Sequence, residues 1–383
     1  MKVIPVDIKK LRNEIDSIDD ELVRLFEKRM TIASKVAEYK RENGIAVSDR
    51  SREREVMNKV TASVPPEFVN HVKSLYQTIF DVSCSYQRTL NLEKSDLIEL
   101  IEKVTEETPK ERTNRAVVAC QGVEGAYSQH ACDKMFTYPT IRYYRGFEDV
   151  FKAVASGECR YGILPVENST AGSVNLVYDL MSQYNFYITH SLRLCIEHNL
   201  LANGSVKIED IKEIYSHEQA LNQCSSFINR LGIKAHVCKN TAEAAKMVAE
   251  SGRTDIAAIG AKECAQIYGL NILSKDIQNT QNNYTRFICI SKQPEIYPGA
   301  NKTSLMLTIP HTPGSLHNII SRFASRGINL TKLESRPIQG SNFEFMFYFD
   351  IGASVYSTEL KNLIAELEND CETFVYLGSY TEE

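Results

Sequence analysis

Apolar residues recur at three- and four-residue spacing through the first hundred positions. Ile8, Leu11, Ile15, Ile18, Leu22, Leu25, Phe26 and Ile32 form one stripe, the mark of a long amphipathic helix. Gly44 closes it, a second helix opens near Ser48-Asp49, and a third begins at Pro65-Pro66 and runs past Tyr76 and Gln87. Three helices, one of them very long, cannot enclose a full core alone, so pairing with another chain is expected. Residues 107–114 form a polar linker. Beyond it, short apolar runs (Ala116–Cys120, Tyr161–Pro165, Glu213–Ser216, Ile256–Ile259) alternate with helical segments such as Ala242–Glu250, which predicts an α/β architecture. After Pro294–Pro298 the pattern predicts strand Ser304–Pro310, helix Leu316–Arg326, strands Asn329–Pro337 and Phe343–Ile351, helix Thr358–Asn369 and strand Phe374–Tyr380. That is a β-α-β-β-α-β, ferredoxin-like order. The expected domains are 1–106, all-α; 115–298, α/β; and 302–383, α+β.

Composition narrows the function classes. A chain of 383 residues with 43% hydrophobic and 24% charged residues is that of a globular, multidomain protein. A net charge of -5 argues against nucleic acid and anionic membranes as partners. No apolar run reaches the ~20 residues of a bilayer span, and Met1 to Arg12 carries no signal-peptide core. The ten cysteines form no Cys-x-x-Cys pair, and most sit in apolar stretches, as free thiols in a reducing cytoplasm would. Neither His-Glu-x-x-His nor a His/Cys cluster occurs, so no metal and no cofactor is expected.

On the first helix Arg29 and Lys40 lie close to three turns apart and share a face. Asp49, Arg52 and Glu53 fall at i, i+3 and i+4 on the second, and Ser83 and Gln87 one turn apart on the third. Singly these are ordinary solvated charges. As an ordered set with Arg12, and above all in the stretch Asp49-Arg50-Ser51-Arg52-Glu53, they resemble the all-helical chorismate mutases over roughly residues 8–90. The resemblance implies an intertwined dimer in which Arg12, Arg29 and Arg52 bind the carboxylates of chorismate. Lys40 and Gln87 would donate to its ether oxygen and Glu53 would take its hydroxyl, with Asp49 and Ser83 in support. Bidentate guanidinium forks suit carboxylates, and the rearrangement needs only a held conformer and charge stabilisation. Arg12 and Arg29 are about 25 Å apart along one helix and point roughly 100° apart, so one small substrate can meet both only if Arg12 comes from a second subunit.

In the central module four stretches follow or precede apolar strands: Gln121–Ser128, Pro165–Ser169, Ser216–Leu221 and Asn283–Phe287. Each alone reads as turn and capping chemistry. The glycines at 122 and 125 lack the third spaced glycine of a dinucleotide fingerprint. Together, with Glu167-Asn168-Ser169 and Thr285-Arg286-Phe287 as the most specific parts, they resemble prephenate dehydratase over about residues 115–293. The resemblance implies a two-lobed, periplasmic-binding-protein-like fold. Thr285 would assist loss of the ring hydroxyl, Arg286 would anchor a carboxylate, and Asn168, Ser169, Ser216 and Gln219 would hold the rest of the substrate. Glu167 is ambiguous, because a carboxylate beside an anionic substrate repels it unless protonated or paired. His217 has no identifiable partner carboxylate and reads as structural. The family pattern is departed from at Val123, Ala126 and Ala171.

Thr312-Pro313-Gly314-Ser315-Leu316 stands between a strand and a helix, where spare N–H groups favour a carboxylate, and Leu333-Glu334-Ser335-Arg336-Pro337 ends the next strand. The pair resembles the ACT domain of these dehydratases. That implies phenylalanine as an inhibitor held by Pro313, Gly314, Ser315, Leu316, Glu334, Ser335, Arg336 and Pro337, and departs from the family at Ser315 and His317. The expected function is therefore a bifunctional enzyme of phenylalanine biosynthesis, converting chorismate to prephenate and prephenate to phenylpyruvate in a homodimer or larger homo-oligomer. Arogenate dehydration in the central domain, or a non-catalytic amino-acid sensor, are the competing readings. The sensor predicts loss of the reactive Arg, Lys and Thr residues, all of which are present.

Overall fold

The computed structural model describes residues 8–45, 47, 49–90, 95–312, 314–338 and 344–383. Ser48, Pro313 and Phe343, used above as an element edge or a site residue, lie outside them. The chain packs as two compact units. One comprises residues 1–99, 309–329 and 356–372; the other comprises 100–308, 330–355 and 373–383. The segment expected to form a third domain thus divides its helices and strands between the two.

In the first unit, α1 (Ile8–Glu42), α2 (Arg50–Ala62) and α3 (Val69–Leu90) are the three expected helices; α4 (Asp96–Glu107) begins in this unit and has most of its length in the second. Asp49 caps α2 by accepting the Arg52 N–H at 3.0 Å. α1 meets α3 through small residues: Ala33 and Ala37 are buried, opposite a face of α3 that buries Phe80, Ser83 and Gln87. Most of its other apolar side chains are bare. Ile8, Ile15, Ile18, Leu22 and Ile32 are each more than half exposed, a stripe running much of the helix. An uncovered apolar stripe of that length is rare on a monomeric protein.

The second unit begins with β1 (Val117–Gln121), α5 (Tyr127–Met135), β2 (Thr140–Tyr144), α6 (Phe147–Ser156), β3 (Tyr161–Asn168), β4 (Gly172–Ser173), α7 (Asn175–Met181) and β5 (Tyr187–Cys195). A second lobe follows: β6 (Asn199–Ala202), β7 (Glu213–His217), α8 (Glu218–Gln223), α9 (Ser225–Leu231), β8 (Lys234–Cys238), α10 (Thr241–Ser251), β9 (Ile256–Gly260), α11 (Glu263–Tyr268) and β10 (Asn271–Ser274). The chain then returns to the first lobe as β11 (Tyr284–Ser291). The last segment supplies β12 (Lys302–Thr308), α12 (Ser315–Ala324), β13 (Leu330–Pro337), β14 (Phe345–Ile351), α13 (Thr358–Asp370) and β15 (Phe374–Glu382). This is the β-α-β-β-α-β order expected from the periodicity.

Two sheets organise this unit. The smaller runs β10-β6-β9-β7-β8; the larger runs β13-β14-β12-β15-β5-β11-β3-β1-β2. The C-terminal strands therefore continue the sheet of the first lobe, joined where β15 pairs in parallel with β5 at Thr381↔His190 and Glu382↔Ser191. Gly378 makes that approach possible. Its φ is +133°, and a Cβ there would sit 2.3 Å from the Ile188 carbonyl oxygen. One apolar cluster spans the seam, with Leu164, Ile188 and Ile288 packed in the same core as Met306, Tyr348 and Leu377. No helix among the described residues is long and apolar enough to cross a membrane.

In the first unit α12 and α13 lie against α3. The Glu366 side chain, almost fully buried, accepts from Arg88 at 3.2 Å and from Arg326 at 2.6 Å, and forms an ion pair with Arg322 at 3.2 Å. Asp370 pairs with Arg88 at 3.0 Å and with Arg322 at 2.8 Å. Two carboxylates thus answer three guanidiniums that the packing of α3 and α12 removes from water.

Candidate active sites

A cleft of about 660 Å³ opens between α1, α2 and α3. Arg29, Lys40, Asp49, Arg52, Glu53, Ser83 and Gln87 all line it, seven residues spread over nearly sixty positions that the resemblance to chorismate mutases implied. Lys28 joins them, giving four cations against two carboxylates. Its volume suits a small molecule, and its charge suits a dianion. Arg29 donates to Ser83 Oγ, which in turn donates to the Ile79 carbonyl at 2.6 Å. That relay fixes the guanidinium over α3. Lys40 donates to the Val47 carbonyl at 2.6 Å, and Arg52 pairs with Glu55, also at 2.6 Å. The Glu53 carboxylate accepts a long contact from Cys84 Sγ at 3.8 Å. Gln87 is buried, yet its Oε1 has no hydrogen-bond partner among the described residues. A buried amide end left unpaired costs about 1–3 kcal/mol, which a bound ligand would return. Arg12 is exposed on α1, about 25 Å from Arg29 by helical rise, and does not line this cleft.

The second site lies where the two lobes meet. β3 and β11 are antiparallel neighbours, and Asn168 stands opposite Thr285. Asn168 Nδ2 donates to Thr285 Oγ1 at 2.9 Å and to Asn283 Oδ1 at 2.8 Å. Its Oδ1 accepts from the N–H groups of Thr170 and Ala171 at 3.0 and 2.9 Å, and from the Thr170 hydroxyl at 2.7 Å. Two backbone donors on Oδ1 settle which end of the amide is which. Thr285 is therefore held as an acceptor of the Asn168 N–H, and its own proton is left to point at whatever occupies the cleft. Ser169 staples the loop, donating to the Asn282 carbonyl and accepting from the Tyr284 N–H, both at 2.9 Å.

From the second lobe the group that reaches this cluster is Gln223. Its Nε2 donates to Thr170 Oγ1 at 2.7 Å, and its Oε1 accepts from Asn283 Nδ2 at 3.2 Å. Gln223 Oε1 also lies 2.9 Å from Nε2 of His198, whose Nδ1 is 3.3 Å from the Tyr127 hydroxyl. Burial lowers the pKa of His198, with the Gln223 bond opposing it, and burial raises that of Tyr127. His198 is accordingly neutral, and a proton on Nε2 satisfies Gln223.

Four expectations for this cleft need correction. Gln219 is engaged through its backbone N–H, which donates to His217 Nδ1 at 3.3 Å; the glutamine that meets Asn168 and Asn283 is one helical turn on, at 223. Ser216 is fully buried and donates to the Ile259 carbonyl at 2.6 Å, tying β7 to β9. Arg286 is turned away from Thr285, as neighbours on a strand must be. It is 7% exposed and bound by Asp350, by Glu382 at 2.8 Å, by the Tyr380 hydroxyl at 2.8 Å and by Ser191 at 3.0 Å. It has no fork left for a substrate carboxylate. Glu167, opposite Arg286 in the ladder, pairs with Lys332 at 2.8 Å, on the face away from Thr285. Gln223, Asn283 and His198 were missed. Spacing gives a hint for the first, since 219 and 223 share a face of α8, and the second lies in a stretch already singled out. Nothing local marks His198.

The remaining candidates are described unit by unit. Gly314, with φ +86°, caps α12 in the first unit; Thr312 Oγ1 and Ser315 Oγ are 2.6 Å apart there, and Leu316 follows. In the second unit Glu334, Ser335, Arg336 and Pro337 end β13. Glu334 accepts from Ser173 at 2.6 Å, and Arg336 grips Asp179 with two bonds of 2.7 and 2.9 Å.

Comparison with known proteins agrees with both clefts. The chorismate mutase type II family matches residues 11–88, and the prephenate dehydratase family matches residues 118–295. A bifunctional chorismate mutase/prephenate dehydratase of Buchnera aphidicola is 30% identical over 387 residues, covering 97% of this chain and 96% of its own. An arogenate dehydratase/prephenate dehydratase of Arabidopsis thaliana is 38% identical over 70% of this chain and 73% of its own. The structure of a prephenate dehydratase from Arthrobacter aurescens in complex with L-Phe superposes with a TM-score of 0.64 at 27% identity, covering 69% of this chain and 89% of that one. With both modules in sequence and a relative matched nearly end to end, the chain belongs to the bifunctional chorismate mutase/prephenate dehydratase family.

Proposed function

We propose that this chain rearranges chorismate to prephenate in the helical cleft and then converts prephenate to phenylpyruvate, water and carbon dioxide in the two-lobed cleft. The observation that carries the reading is the convergence of Arg29, Lys40, Arg52, Glu53 and Gln87 on one cleft, with a separately oriented Thr285 hydroxyl in another. In the first, Arg29 and Arg52 hold carboxylates, while Lys40 and Gln87 face the ether oxygen as negative charge develops on it. Glu53 takes the substrate hydroxyl, with Asp49 and Ser83 steadying the neighbouring groups. In the second, Asn168 occupies the acceptor side of Thr285, so the threonine proton is directed to the departing hydroxide. The ring's C–O and C–COO bonds break together, and the electron pair from the carboxylate completes the aromatic ring.

The bare stripe on α1 and the distance of Arg12 from the cleft support a dimer in which Arg12 serves the partner's substrate. The β-α-β-β-α-β segment supports an ACT domain. Phenylalanine would inhibit by binding at Gly314, Ser315 and Leu316 and at Glu334 to Pro337, with Pro313 the proposed neighbour. Ten cysteines without a disulfide support a reducing, cytoplasmic setting.

The Arabidopsis relative's name gives arogenate as a second substrate to consider for the two-lobed cleft. The fused mutase makes prephenate, which favours the latter. Purified protein fed chorismate should release prephenate and then phenylpyruvate, and added phenylalanine should slow the second step. Chorismate left unchanged would refute the mutase assignment; prephenate accumulating without phenylpyruvate would refute the dehydratase assignment. A chain that turns over arogenate much faster than prephenate would reverse the substrate order.

A further inference from the structure

β3 and β11 present two adjacent cross-strand pairs to opposite sides of the sheet. Asn168 and Thr285 face the cleft; Glu167 and Arg286 face the C-terminal strands. Ordinary strand alternation produces this arrangement. A bulge adjoins it: Arg286 stands opposite Glu167 and Phe287 opposite Pro165, which leaves Val166 as the extra residue two positions before Asn168. On the reverse side the charges are answered from the C-terminal segment. Lys332 on β13 meets Glu167 at 2.8 Å and donates to Ser173 at 2.8 Å, while lying 3.5 Å from Glu334. Asp350 on β14 and Glu382 on β15 bind Arg286. Arg286 and its two carboxylate partners have side chains 7%, 13% and 10% exposed, so those pairs are poorly screened, whereas Lys332, 15% exposed, meets a Glu167 that is 36% exposed.

We propose that Lys332 and Asp350 are positioning residues for the dehydration, holding Glu167 and Arg286 so that their chain neighbours Asn168 and Thr285 stand in register across the cleft. The inference rests on the reading of Thr285 as the group that assists the leaving hydroxide. Glu167 and Asn168 share one peptide unit, as do Thr285 and Arg286, so a side chain pulled on one face displaces the hydroxyl or amide on the other. A displacement of about 1 Å at reacting groups costs on the order of a hundredfold in rate. Neither Lys332 nor Asp350 touches the cleft, so substrate affinity should be spared while turnover falls.

The test uses the full-length protein with prephenate as substrate. Lys332→Met and Asp350→Asn should each lower the dehydration kcat by about tenfold or more, with KM changed by less than about threefold. The mutase rate of the same preparations should stay at the wild-type value. Exchanging the pair, with Glu167→Lys and Lys332→Glu together, should recover most of the lost kcat. Folded variants, with intact mutase activity, that dehydrate prephenate at the wild-type kcat would overturn the inference. So would an exchanged pair that folds yet stays as slow as Lys332→Met, and this comparison stands even if the single variant fails to fold. A wild-type chain inert toward prephenate would instead refute the functional reading on which the inference rests.

Discussion

Replacing Asn168 by Asp tests the orientation of the Thr285 hydroxyl with almost no change in shape. The three bonds that Oδ1 accepts from Thr170 and Ala171 survive, because a carboxylate accepts at both oxygens. The two donated by Nδ2, to Thr285 and Asn283, do not. At about 0.5–1.5 kcal/mol each, their loss should cost roughly 1–3 kcal/mol of stability, which a folded domain survives. The catalytic cost is larger. The new carboxylate oxygen can only accept, so the hydrogen bond reverses and Thr285 gives its proton to residue 168. Proton donation to a leaving group contributes on the order of 10²–10⁴ in rate, equivalent to about 3–5 kcal/mol of barrier. Asn168→Asp should therefore lower the kcat for phenylpyruvate formation by about a hundredfold or more. Chorismate consumption by the same sample is the internal control for folding. A variant that dehydrates prephenate within about threefold of wild type would show that the hydroxyl's direction does not matter, and the role given to Thr285 would fall with it.

Mixed dimers of Arg12→Ala and Lys40→Ala chains should regain part of the mutase activity that each homodimer lacks, because one intact cleft forms per mixed pair; no recovery means that each cleft is complete within one chain. Glu366→Ala should destabilise the first unit by about 3–5 kcal/mol, since it removes the buried carboxylate shared by Arg88, Arg322 and Arg326 and leaves Asp370 to answer only the first two; a shift of the urea midpoint worth less than about 1 kcal/mol would contradict this. Burial lowers the pKa of His190 to about 3, with the charge of Arg112 acting in the same sense, and burial lowers those of His198 and His130. The unfolded chain takes up the His190 proton near pH 6.5, so its contribution is present above that pH and fades as the pH falls toward about 3, by up to about 1.4 kcal/mol per unit, with His198 and His130 acting in the same direction. Denaturant midpoints that stay flat between pH 7 and pH 5 would contradict it, and His190→Asn should flatten the dependence.

The helical cleft was the more legible of the two in the sequence. α-Helical periodicity converts spacing into direction, so Arg29, Lys40, Ser83 and Gln87 could be assigned to faces before any coordinates existed. Strand alternation should have done the same for Glu167, Asn168, Thr285 and Arg286. Neighbours on a strand face opposite sides, so placing both Thr285 and Arg286, and both Glu167 and Asn168, in one cleft went against an alternation that the bulge at Val166 leaves intact within each pair. Arg286 reads as an anion-binding residue until the carboxylates of Asp350 and Glu382 are seen beside it. Those lie 64 and 96 positions further along, beyond what local pattern can reach. The merging of the C-terminal strands with the first lobe's sheet escaped for a similar reason. It depends on which edges pair, and the alternation of apolar and polar residues is the same whether β15 ends a sheet or joins one.

The bare α-carbon of Gly378 gives this join an unusual vulnerability. A single methyl group at that position would act as a wedge driven between β15 and the Ile188 carbonyl, forcing apart two strands whose separation cannot grow without losing the ladder beyond it. Alanine, the mildest change by size, would thus be among the most disruptive here, and it would be felt first as a parting of β15 from β5 rather than as unfolding of either side.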